Sequence, residues 1–102
     1  MTAYNTFIKS VISSLDYPGA CYLDKKMIAT YMWNQQNNKP ISDSQEYAML
    51  CVNIDRDVYT YDEILEKYGP FKTISLYRTI AKWKQEEVCE VICKLKMSTI
   101  MG

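Results

Sequence analysis

Apolar residues return every three to four positions over most of the chain, and polar residues fill the gaps. Tyr4, Phe7, Ile8, Val11, Ile12 and Leu15 form one such stripe, with Asn5, Lys9, Ser10 and Ser13 outside it. That spacing predicts an amphipathic helix. Asp16 and Tyr17-Pro18-Gly19 end it, because proline lacks a donor and glycine accepts a left-handed turn. Residues 20–23 are a short apolar link and read as a candidate brief strand. Asp24 reads as the cap of a second helix over about 25–35, carrying Met27, Ile28, Tyr31 and Met32 on its inner face. Trp33 falls off that stripe. It covers a neighbouring helix or serves as a partner contact, and the first reading is favoured.

The run Gln35 to Pro40 is polar and aperiodic, so it is a loop. Ser42 with Gln45, or Asp43 with Glu46, has capping-box spacing. A third helix is expected to run to about Ile54, burying Tyr47, Ala48, Cys51 and either Leu50 or Ile54. Asp55-Arg56-Asp57 breaks it, and residues 57–60 are the second candidate for extended chain. Thr60 with Glu63 is another capping box. Ile64, Leu65 and Tyr68 give a short apolar face that Gly69-Pro70 terminates. A further helix is expected from Lys72 or Thr73, with Leu76, Ile80, Trp83, Glu87 or Val88, Val91 and Leu95 in step. It either continues for 20 to 25 residues, as a rough count on helical periodicity, or kinks near Gln85. Residues 98–102 are expected to fray.

This pattern predicts one all-α domain of about five helices, with an extended pair at 20–23 and 57–60 as a minor addition. At 102 residues with 48% hydrophobic and 24% charged positions, the chain can bury one core and is not a disordered sequence. Nine Tyr and six Met supply much of its bulk. Lys plus Arg and Asp plus Glu are 12 each, so net charge does not point to a polyanionic partner. No run approaches the ~18 to 20 apolar residues of a membrane span. The N-terminus does not read as a signal peptide, and a cytoplasmic location is expected. Cys21, Cys51, Cys89 and Cys93 are then expected to be reduced. Cys89 and Cys93 lie four apart without any His in the chain, a poor zinc pattern, so no metal and no cofactor is expected. Without His, a P-loop, a dinucleotide-binding glycine motif or a nucleophile elbow, catalysis is not expected.

Charge is uneven along the chain. Between Lys67 and Lys84 there are five cations (Lys67, Lys72, Arg78, Lys82, Lys84) and no acid. On a helix at 100° per residue, Leu76, Ile80 and Trp83 share one face, with Tyr77 beside them. Lys72, Ser75, Arg78, Thr79 and Lys82 share the other. Lys and Arg meet phosphates and guanine edges, and hydroxyls meet phosphates or bases. EILEKYG followed by TISLYRTIAKW resembles the helix-turn-helix of small regulators, recombinases and phage proteins, over residues 61–84. The resemblance implies double-stranded DNA as partner, with Lys72, Ser75, Arg78, Thr79 and Lys82 on the recognition helix. It also departs from the family form: Leu65 replaces the usual small residue, Pro70 follows the glycine, and the turn reads about one residue too long.

A second function class stands beside this one. A neutral, Tyr- and Met-rich helical protein can act by occluding a partner, in the manner of phage- or mobile-element-type inhibitors of host proteins. In that reading Tyr59, Tyr61, Trp33 and the helix from Tyr77 to Lys84 form the interface. Self-association through Val88, Val91, Ile92 and Leu95 of the last helix is a third option. Glu86, Glu87 and Glu90, downstream of the basic run, would repel phosphate.

Overall fold

The computed structural model of the protein describes residues 2–93. It is all-α, and no strand occurs among the described residues. Helices α1 (Ala3–Ser14), α2 (Tyr22–Gln36), α3 (Asp43–Asp55) and α4 (Tyr61–Lys84) are followed by a helical segment, α5, over 88–93. Helix α2 packs against α1 and α3, and α3 packs against α4. No helix among the described residues is long and apolar enough to cross a membrane.

The caps explain the starts. Thr2 accepts from the Asn5 amide at 3.1 Å to open α1. Ser42 and Gln45 form the reciprocal capping box of α3, and Thr60 and Glu63 that of α4. The Asp43–Glu46 alternative is not used. Asp24 does not cap α2. That helix begins at Tyr22 with Cys21 as its N-cap, and Asp24 sits inside the first turn, where the helix dipole equally favours a carboxylate. Residues 22 and 23 are therefore helical rather than extended. Residues 57–60 form turns and bends, not a strand.

The Gly69-Pro70 break is real but shorter than the spacing implies. Gly69 holds φ 82° and ψ 170°, a conformation essentially reserved for glycine, and splits α4 into halves over 61–68 and 70–84. The second half starts at once with Pro70, two or three residues earlier than Lys72 or Thr73. Proline fits the first helical position because its missing N–H has no partner there anyway. The buried Thr73 hydroxyl donates to the Gly69 carbonyl at 2.7 Å and ties the new helix to the break. Of the two expected endings, the kink near Gln85 is the one found. Gln85 is left-handed (φ 58°, ψ 44°) and its N–H donates to the Ala81 and Lys82 carbonyls.

One core runs through the molecule, with Ile28, Cys51, Val52, Ile54, Ile64, Leu76, Tyr77, Ile80 and Trp83 buried. Val91 of α5 joins it, and Val88 and Ile92 pack on its edge. Of the apolar face offered as a third option for self-association through the last helix, Val91 is spent on the chain's own core, and Val88 and Ile92 are half-buried. Leu95 lies outside the described residues. Trp33 covers α1, its ring centroid 5.4 Å from Tyr4 and 5.5 Å from Phe7.

The loop between α1 and α2 clasps the end of α4. Gly19 N–H donates to the Trp83 carbonyl at 2.8 Å, and Trp83 Nε1 donates to Asp24 at 3.2 Å. Buried Tyr17 donates through its hydroxyl to Asp55 at 2.9 Å, and Lys84 donates to the other Asp55 oxygen at 3.0 Å. Gly19 does not adopt a left-handed turn; it serves close approach instead.

Tyr77 is fully buried and its hydroxyl has no hydrogen-bond partner among the described residues. A buried hydroxyl without a partner costs about 1–3 kcal/mol in lost hydration. Tyr77→Phe is therefore expected to leave the thermal midpoint unchanged or raise it by several degrees, the reverse of most core substitutions. A drop of the midpoint, read by circular dichroism, would mean that the hydroxyl has a partner after all.

Candidate interaction surface on helix α4

The second half of α4 keeps an outer face exposed along its length. Its inner side, Thr73, Leu76, Tyr77, Ile80 and Trp83, is buried. At 100° per residue, Phe71, Ser75, Arg78 and Lys82 fall within an arc of about 60°, opposite the core stripe, with Ile74 at its edge. Phe71 is 92% exposed and Ile74 36%. Together with Ser75, Arg78, Thr79 and Lys82 they line one shallow groove.

Of the sequence-predicted residues, Ser75, Arg78, Thr79 and Lys82 are brought together in this groove, whereas Lys72 lies about 100° round the helix from Phe71 and lines a separate cleft. Lys72, Ser75, Arg78 and Lys82 are exposed, and Thr79 is half-buried. The Ser75 hydroxyl lies 2.7 Å from the Tyr47 hydroxyl, and the Thr79 hydroxyl lies 3.2 Å from it while donating to the Ser75 carbonyl at 3.0 Å. Both hydroxyls are therefore engaged with the protein itself. Lys84 is held by Asp55. Lys72 Nζ sits 4.8 Å from the Tyr68 ring centroid, and Lys67 Nζ 5.4 Å from it, so Tyr68 organises two of the cations through its π face. No carboxylate among the described residues forms an ion pair with Lys72, Arg78 or Lys82.

Two features escape the linear pattern. The first is acid at the border. Asp43 and Glu46 of α3 line a cleft with Lys72, and Asp24 and Asp43 line another with Thr79 and Lys82. The second is Phe71. Its position, out of step with Leu76, Ile80 and Trp83, is the signal that could have marked it as outward-facing. Conversely, buried Tyr77 is not available as an interface, and Tyr61 and Trp33 are only half-exposed. Tyr61 lies half-buried against Tyr77, their centroids 5.5 Å apart, and Trp33 faces α1. Tyr59 remains partly exposed, beside exposed Val58.

A further cleft of about 520 Å³ opens on the first half of α4. Leu50, Tyr59, Ile64 and Tyr68 supply its apolar walls, and Glu63, Glu66 and Lys67 its charges. No group of three or more His, Cys, Asp or Glu residues is arranged for a metal ion among the described residues.

Fold and surface together define a small all-α protein presenting one apolar-and-basic helix. No family model, curated protein or solved structure matches the chain.

Proposed function

We propose that the protein acts without catalysis, by docking the outer face of the second half of α4 onto a partner protein and occluding it. Phe71 carries this reading. An aromatic side chain left 92% exposed, beside Ile74 and Arg78, has the composition of a binding hot spot, where aromatic and Arg residues dominate. The bordering Asp24, Asp43 and Glu46 favour a protein over nucleic acid, because they repel phosphate.

The test is selection from a displayed random-peptide library on the immobilised protein. Peptides that bind the wild type are expected to lose about tenfold or more of their affinity for Phe71→Ala, the scale of a hot-spot residue. Phe71 is too exposed for that change to unfold the chain. Selected peptides that bind Phe71→Ala as well as the wild type would remove the assignment of this face.

Double-stranded DNA is the second reading. The observation favouring it is that Lys72, Arg78 and Lys82 form no ion pair among the described residues, and that the exposed half of α4 carrying them, over 70–84, contains no acid. It expects a labelled random-sequence duplex to bind at about 50 mM salt and to weaken markedly by about 200 mM, since each neutralised phosphate releases counterions. Arg78→Ala should weaken that binding without unfolding the protein. No binding at the lower salt disposes of it.

A further inference from the structure

The chain carries both halves of a complementary contact. One is the ridge on the second half of α4, where Phe71 and Ile74 project beside Arg78 and Lys82. The other is the cleft of about 520 Å³ on the first half, with apolar walls from Leu50, Tyr59 and Ile64 and with Glu63 and Glu66 among its lining. Lys67 is the one cation lining that cleft, and Glu46 lies in its continuation beside Leu50 and Tyr59. An apolar knob among cations faces the chemistry of an apolar socket among carboxylates. The chain cannot satisfy the match internally, because Phe71 remains 92% exposed in the folded monomer.

We infer that the occupant of the cleft is the Phe71 ridge of a second copy of this chain. Ridge and cleft are near neighbours, since Tyr68 lines the cleft only three residues before Phe71. A twofold axis between them lets each copy give its ridge and receive its partner's, which is the isologous arrangement. Direct ridge-on-ridge pairing is disfavoured, because it sets Arg78 and Lys82 against the same cations. The contact is small, so association is weak and concentration-dependent. It uses the face proposed above for a partner protein, and so rests on that face being a docking surface; self-association would mask it until a partner competes.

Sedimentation velocity on the full chain, from about 10 µM to about 1 mM, tests this. The wild type is expected to shift from monomer to dimer across the range. Phe71→Ala should weaken the dimer about tenfold or more. Arg78→Glu and Glu66→Lys, two exposed positions, should each give monomer. An equimolar mixture of those two variants should dimerise again, because each reversed charge then meets its complement. A wild type that stays monomeric throughout, a dimer indifferent to Phe71→Ala, or a mixture that stays monomeric would each overturn the inference. Phe71-dependent peptide selection alongside a monomeric wild type would sink only the self-association and leave the partner-protein reading standing.

Discussion

Gly19→Ala is expected to destabilise the protein by about 3 kcal/mol, the upper part of the usual range for forcing atoms into a packed site. For a chain of this size that lowers the thermal midpoint by roughly 10–20 °C. A Cβ built on Gly19 would lie 1.8 Å from the Lys82 carbonyl oxygen and 2.9 Å from its carbon. Both are backbone atoms of α4, so no side chain can swing aside to make room. The same displacement breaks the Gly19 N–H bond to the Trp83 carbonyl and unseats a loop whose neighbour Tyr17 is buried against Trp83, ring centroids 5.4 Å apart. The loop, the end of α4 and Asp55 should therefore loosen together. Thermal denaturation followed by circular dichroism checks this. A midpoint within a degree or two of wild type would show that the loop does not seat against the helix end.

Alkaline pH is expected to destabilise the protein steeply above about pH 9. Burial pushes the Cys51 thiol up to about 12, with the nearby Asp24 charge adding to the effect. Burial likewise raises Tyr77 to about 12, assisted by Tyr61 and Asp57. Tyr17 is raised too, by burial first and then by its bond to the Asp55 carboxylate. All three hold their protons more tightly folded than unfolded. Their contribution is present in full below the ordinary values of 9 for Cys and 10 for Tyr, and is lost as pH rises from there towards 12. A tenfold tighter hold on a proton is worth about 1.4 kcal/mol, so the combined loss is several kcal/mol, a large share of the stability of a small domain. Urea midpoints should be flat up to about pH 9 and then fall steeply. Tyr77→Phe and Cys51→Ala should each make the fall shallower, because each removes one of the linked protons. A midpoint that held steady to about pH 11 would contradict the burial of these groups.

The helices and their faces were legible because they depend on near neighbours. The stripe from Tyr4 to Leu15, the capping boxes at Ser42 and Thr60, and the buried set Leu76, Ile80 and Trp83 are all set within one or two turns of chain. Boundaries were less legible where one residue type serves two positions. Asp24 suits a cap or a first turn, and Pro70 ends one helix as readily as it begins the next. Val88, Val91 and Ile92 look the same whether they face a second copy or the chain's own core. Choosing between those outcomes requires knowing what packs opposite.

The candidate surface divides the same way. That Ser75, Arg78 and Lys82 share a face follows from helical periodicity alone, and the sequence determined it, while Thr79 and Lys72 lie further round towards Trp83. Which of those groups stand free was decided by partners distant along the chain: Tyr47 engages Ser75 and Thr79 from 28 and 32 residues away, and Asp55 takes Lys84 from 29. The acid that borders the basic face comes from α2 and α3, and the cleft beside it exists only where α3 meets α4. Local spacing sets which way a side chain points on its own helix, and tertiary packing sets what it meets there.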